Sequence, residues 1–260
     1  MLKSIRSLLT AGLVLAALPA SAETIKIGVT PGPHAQILEV VRDVAKADGL
    51  DIEVLEFSDY VVPNQALHDG ELQANSFQHK PYLDNQVTDR KFDIVDVAYT
   101  VNFPMGIYSK KVKSFDELKD GAVIGIPNDP TNGGRALLIL QDAGYIKLNP
   151  EKGLKVGPAD VIENTKNFSF IELDAAQLPR SLDDTDASAI NTNYALEAGL
   201  NPTQDAILKE GAKAPYINLI AVRSADKDAE WVAKLTKAYH SDKVKTFVLE
   251  TFKGAVVPAW

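Results

Sequence analysis

The chain has 260 residues, 45% hydrophobic and 24% charged, which suits one large globular domain or two lobes of ordinary size. A formal net charge of −8 supplies no basic stripe for phosphates and argues against a nucleic-acid partner. The absence of cysteine excludes disulfides, thiolate metal sites and a thiol nucleophile together.

The first 22 residues read as a cleaved secretory signal. Lys3 and Arg6 precede the apolar stretch "SLLTAGLVLAALPA", and "ASA" at Ala20–Ala22 has the small-x-small form of a cleavage site. A membrane span would need ~20 apolar residues, more than this stretch provides. Cleavage after Ala22 removes two positive charges and leaves a mature chain near −10. With no cysteine at the cut site there is no point for lipid attachment. The expectation is a periplasmic monomer without a direct lipid anchor.

From Thr24 the pattern alternates. "TIKIGVTPG" predicts a strand and a Pro/Gly turn, and "HAQILEVVRDVAKADGL" a helix stopped by Gly49. "DIEVLEF" predicts a second strand, "PNQALHDGEL" a short helix, "LQANSF" a third strand, "KPYLDNQVTDRK" a helix with proline in its first turn, and "DIVDVAYT" a fourth strand. The pattern then restarts with "GIYSK" and "AVIGIPN" as strands around a short turn of helix. A glycine-rich loop follows, then a helix from about Arg135 to Ala143. "FSFIEL", "DAAQLPRSL", "ASAI", "NYALEAG" and "YINLIAV" continue the strand–helix alternation, and the tail from Asp226 to Phe252 reads as helical. The expected fold class is α/β with two lobes, each a mostly parallel sheet flanked by helices. The boundaries expected are 24–101 plus 219–260 for one lobe and 102–218 for the other. A ligand cleft should lie between the carboxyl ends of their strands.

Three segments hold candidate ligand groups. "PNDPTNGGRALLIL" resembles a phosphate loop without the lysine and hydroxyl that a nucleotide and magnesium require. Arg135 could fork onto a carboxylate through two parallel hydrogen bonds, or stand solvated near a helix start. In "ANSFQHKPYL", Phe77, His79 and Tyr82 fall at a strand end and could line an apolar slot with polar tips. Core packing of the two larger rings is the alternative, and Tyr60 in "FSDYVVPN" stands in an equivalent place. Asn191 and Asn193 follow a strand, and Asn218 lies inside an apolar one, where asparagine is depleted unless it has a polar partner. The four histidines lack zinc spacing, no G-x-S-x-G elbow is present, and "LDDTD" lacks the glycine of a calcium loop. No catalytic residue, metal or cofactor is expected.

"FQHKPYLD", "IPNDPTNGGRALLILQ", "LPRSLDD" and "PYINLI", in this order, resemble the NlpA/MetQ lipoprotein family. The resemblance extends over nearly the whole mature chain. It implies a two-lobed binding protein that captures methionine, L- or D-, and delivers it to the membrane permease of an ABC importer. Residue by residue it implies an aromatic slot at Tyr60, Phe77, His79 and Tyr82 for the thioether, Arg135 for the carboxylate, and polar contacts from Asn191 and Asn218. Two departures stand out. The family's usual anchoring cysteine is absent, and Tyr99 and Asn102 replace other residues in the crossover segment. Alternatives are a binding protein for another amino acid or a methionyl dipeptide, and, from a different class, a periplasmic hydrolase on the same scaffold.

Overall fold

The computed structural model describes residues 23–211 and 214–260. The expected signal segment lies outside the described residues. Among these residues two main sheets divide the chain into two lobes, each with its own apolar core.

The first lobe begins with β1 (Glu23–Val29), α1 (Pro33–Ala45), β2 (Leu50–Glu56), α2 (Val62–His68), β3 (Ala74–Asn75), α3 (Lys80–Arg90) and β4 (Ile94–Asn102). The second contains β5 (Gly106–Tyr108), β6 (Val123–Pro127), α4 (Pro130–Asp142), β7 (Ile146–Leu148), β8 (Val161–Asn164), β9 (Ser169–Leu173), α5 (Leu178–Ser181), β10 (Ala187–Ile190), α6 (Thr192–Glu197) and β11 (Leu208–Lys209). The chain then returns to the first sheet through β12 (Ile217–Arg223), α7 (Glu230–Tyr239), α8 (Asp242–Phe252) and β13 (Val257–Pro258).

The first sheet has the order β13-β4-β12-β3-β1-β2 and the second β11-β5-β10-β6-β9. β1 pairs in parallel with β2 and β3, and β6 with β9 and β10. β5 and β12, the first strands laid down after each crossover, run antiparallel to their neighbours. The sheets are thus mixed: β1, β2 and β3 run parallel in one and β6, β9 and β10 in the other, while β5 and β12 reverse after the crossovers and the C-terminal β13 reverses against β4.

Residue pattern explains the packing. On α1, Ile37, Leu38, Val41 and Ala45 repeat at helical spacing and are fully or nearly fully buried. They share a core with Ile25, Ile27 and Val29 of β1 and with Leu235, Val244 and Val248 of α7 and α8. Burial of each such large side chain contributes about 1.5–3 kcal/mol. Gly32 precedes α1 at φ 75°, a conformation costly for a residue with a Cβ, and Pro33 opens the helix.

Three local readings are corrected. Within "LQANSF" the strand is only two residues long. After Asn75 the chain leaves the sheet, and pairing with β12 resumes at a single bridge between His79 and Asn218. The hairpin of β7 and β8 has no counterpart in the expected order. The tail is two helices, because Ser241 interrupts it and caps α8 by accepting from the Val244 N–H.

The largest correction concerns "DPTNGGR". It is helix, not loop: α4 begins at Pro130 and Arg135 lies beyond its first turn. Asp129 caps it, its carboxylate accepting from the N–H groups of Thr131 and Asn132. These normally orphaned donors are therefore occupied by the protein's own carboxylate and are not open to an anion. The glycine pair serves close approach. A Cβ at Gly133 would sit 2.6 Å from Pro127 O, and one at Gly134 2.4 Å from Leu154 O.

Candidate functional site

The loops that follow β1, β2 and β3 face those before α4 and α6, and a cavity lies between them. Tyr60, Phe77, His79, Tyr82, Arg135, Asn191 and Asn218, the seven residues singled out in the sequence, all line it. The wall is completed by His34, Gln78, Phe103, Asn132, Thr192 and Asn193.

One wall is aromatic. The Tyr60 ring lies 5.9 Å from Phe77 and 6.1 Å from Tyr82, and Phe77 and Tyr82 meet edge-on at 6.1 Å. Their polar tips are engaged by the protein. Tyr60 donates its hydroxyl to Asn193 Oδ1 at 2.6 Å, and Tyr82 to the Tyr60 carbonyl at 2.9 Å. The Gln78 amide is tied to Asn64 and Asn75 in a buried network. This wall therefore offers ring carbon rather than free donors.

The opposite wall is polar and ordered in a relay. Asp129 accepts from the Asn132 amide at 2.8 Å, which turns Asn132 Oδ1 toward two donors: His79 Nε2 at 3.0 Å and Asn191 Nδ2 at 2.8 Å. His79 Nδ1 accepts from the Tyr82 N–H, so the ring is neutral with its proton on Nε2. Burial, then the neighbouring Arg135 charge, lowers its pKa to about 3. Asn191, its Nδ2 thus engaged, keeps a buried Oδ1 with no partner among the described residues. Such an acceptor in a cavity wall costs about 1–3 kcal/mol unless a donor arrives.

A second relay spans the lobes. Tyr60 of the first lobe holds Asn193 of the second, and Asn193 donates to Thr30 at 3.4 Å. Thr30 meets His34 Nδ1 at 2.7 Å, and His34 Nε2 donates to Asn218 Oδ1 at 3.1 Å. The tautomer follows, because an amide oxygen can only accept. Burial lowers the His34 pKa to about 4.

Arg135 is 2% exposed, which removes the solvated alternative. Its guanidinium pairs with a residue the sequence reading did not single out. Nε donates to Glu210 Oε1 at 2.7 Å and Nη2 to Glu210 Oε2 at 2.5 Å. Nη2 also donates to the Phe103 carbonyl at 2.8 Å, and the Tyr216 ring lies 4.3 Å from Cζ. The fork is therefore filled on its Nε–Nη2 edge. Nη1 is the nitrogen that makes no hydrogen bond among the described residues.

The missed residues differ in how visible they were. His34 follows the first strand's Pro/Gly turn, a strand-end position like that of Tyr60, and Asn132 stands three residues after a capping aspartate. Glu210 is 75 residues from Arg135 and carried no local signal.

Comparison with known proteins places the chain in a family. The chain is 50% identical over 239 residues to the D-methionine-binding lipoprotein MetQ of Salmonella typhimurium strain LT2, covering 91% of this chain and 88% of the relative. The corresponding protein of Escherichia coli strain K12 matches to the same extent. A nutrient-binding protein from Burkholderia cenocepacia, solved bound to methionine, superposes with a TM-score of 0.89 at 52% identity, covering 91% of this chain and all of that one. The crystal structure of the methionine binding protein MetQ gives 0.89 at 50% identity, with coverage of 91% and 98%. Residues 25–260 match the NlpA lipoprotein profile. By sequence, fold and this coverage, the chain belongs to the NlpA lipoprotein family.

Proposed function

We propose that the protein is a periplasmic substrate-binding protein that captures methionine, L- or D-, between its lobes and delivers it to the permease of an ABC importer. The observation that carries this reading is the cavity itself. An aromatic wall with engaged hydroxyls faces a buried arginine and an asparagine oxygen; one nitrogen of the arginine and that oxygen make no hydrogen bond among the described residues. A thioether among ring edges is a favourable contact. In this reading Tyr60, Phe77, His79 and Tyr82 hold the side chain, Arg135 the carboxylate, and Asn191 and Asn218 the remaining polar groups. The relatives named for methionine binding support the ligand's identity.

The finer parts of the proposal follow. The lobes are 24–101 with 219–260, and 102–218; the sheet membership of the strands supports this division to within two residues, since Asn102 of β4 and Ile217 and Asn218 of β12 belong to the first sheet. Capture and closure, not catalysis, are the function. The protein works as a monomer with no direct lipid anchor. Its relatives are named lipoproteins, whereas this sequence contains no cysteine to acylate. Among the described residues no helix is long and apolar enough to cross a membrane.

A thermal-shift series on ligand-stripped protein tests the reading. A ligand bound only by the native state at a hundredfold excess over Kd stabilises by about 2.7 kcal/mol. Methionine should raise Tm more than leucine or isoleucine at equal concentration. An equal rise with leucine contradicts the thioether slot.

A further inference from the structure

Glu210 lies on the second crossover between the lobes, is 8% exposed, and does more than pair with Arg135. Its Oε2 also accepts the backbone N–H of Met105 at 3.2 Å, and its own N–H donates to the Met105 carbonyl at 3.0 Å, so both crossovers meet at this carboxylate. With Nε and Nη2 fixed by Glu210 and Phe103, and the guanidinium packed on Tyr216, the arginine has little freedom of orientation.

The charge inventory around the cavity is short. Among the described residues no aspartate or glutamate lines it, and Arg135 is the one Arg or Lys. His79 is neutral by its hydrogen bonds, and burial, which lowers the His34 pKa to about 4, keeps His34 neutral. Asp129, at the cap of α4, is occupied by the helix N–H groups and Asn132. The nearest compensation for the Arg135 cation is therefore Glu210, directly behind it, and together they leave the wall with a formal charge of zero.

We infer that Glu210 is a positioning and specificity-determining residue that sets the ligand's net charge. It holds Arg135 so that Nη1 is presented, and it cancels enough of the cation's field that the site prefers a zwitterion to an otherwise similar anion. This rests on the methionine-binding reading above. The physical reason is that a lone carboxylate entering a neutral, desolvated wall brings an uncompensated charge, which is costly to bury. A zwitterion brings its own counter-charge, and its ammonium can donate to the orphaned Asn191 Oδ1.

The test uses ligands that differ in charge but little in shape. The 2-hydroxy analogue of methionine replaces the ammonium by a hydroxyl and has net charge −1. Methioninamide masks the carboxylate and has net charge +1 when protonated. Calorimetry at pH 6 on refolded, ligand-free protein gives the ratio of the hydroxy-acid Kd to the methionine Kd. An uncompensated unit charge several ångströms away in a partly screened interior changes binding by more than a factor of ten. Glu210→Gln should therefore lower that ratio by at least about tenfold. A purely structural role for Glu210 would weaken both ligands together, and an unchanged ratio overturns the inference. Arg135→Gln provides the mirror measurement, also available if Glu210→Gln does not fold. It leaves the Glu210 carboxylate uncompensated, so methioninamide should bind tighter than methionine. Methionine binding as tightly or tighter there overturns the inference. Wild-type protein that binds none of the three ligands overturns the methionine reading and this inference with it. A methionine-binding wild type with an unchanged ratio overturns this inference alone.

Discussion

Tyr60 and Asn193 join the two lobes directly: the phenol of one donates to the amide oxygen of the other at 2.6 Å. His79 with Asn132, and Tyr194 with the Ser58 carbonyl at 3.1 Å, make further ties across the same gap. These bonds run between protein groups, so the protein's own side chains help to hold the lobes together. Tyr60→Phe keeps the ring wall but leaves Asn193 Oδ1 without its donor, at a cost of about 1–3 kcal/mol. Methionine affinity should fall by roughly fivefold or more. Small-angle scattering of the ligand-free variant should show a larger radius of gyration than wild type. Unchanged affinity and unchanged size would show that this tie does not govern closure.

The glycine pair of α4 gives a second prediction. At Gly134 a methyl group would meet two backbone carbonyls, Leu154 O at 2.4 Å and Val156 O at 3.1 Å, and backbone cannot swing aside as a side chain can. Gly134→Ala should destabilise the protein by about 1–3 kcal/mol despite alanine's better helix propensity. Because Arg135 is the next residue, methionine binding should weaken too. Denaturant melts and calorimetry on the same preparation measure both, and a Tm at or above wild type contradicts the packing argument.

The buried histidines set a pH dependence. His34 and His79 have folded pKa values lowered by burial to about 4 and about 3, against 6.5 when exposed. The sign follows from linkage. Above pH 6.5 neither state binds the proton. Below it the unfolded chain gains protons that the native state refuses, so stability falls as pH drops toward the folded values. Each histidine adds up to about 1.4 kcal/mol per pH unit to that slope. His34→Gln should remove about one proton's worth of slope between pH 6 and pH 5 in melts followed by circular dichroism. Methionine affinity in wild type should stay flat over that interval, since both rings remain neutral in the folded state. A histidine-like titration of binding near pH 6 contradicts the tautomer assignment.

Much of the fold was legible because β-branched strands and amphipathic helices alternate with Pro/Gly turns, and each signal is local. Tyr60, Phe77, His79 and Tyr82 follow strand ends, which allowed a place in a cleft as well as core packing, and the structure puts all four in the cavity wall. What was not legible depended on distant partners. The stretch "DPTNGG" read as loop because its composition breaks helices on average. Asp129 capping, Pro130 at the first helical position and a backbone neighbour at Leu154 reverse that here. Arg135 read as a free fork because nothing within the segment announces Glu210, which the crossover brings against it from 75 residues away.

The central claim is that Arg135 holds a ligand carboxylate inside the closed cavity, and calorimetry of methionine binding to refolded, ligand-free wild type and Arg135→Ala tests it most directly. Removing one partner of a buried charge pair costs about 2–5 kcal/mol. The truncation should therefore weaken binding by roughly 30-fold to a few thousandfold. Circular dichroism should confirm that the variant is folded, because its Glu210 is left without its charge partner. A folded Arg135→Ala protein that binds methionine within about threefold of wild type, a difference of only ~0.7 kcal/mol, would contradict the account.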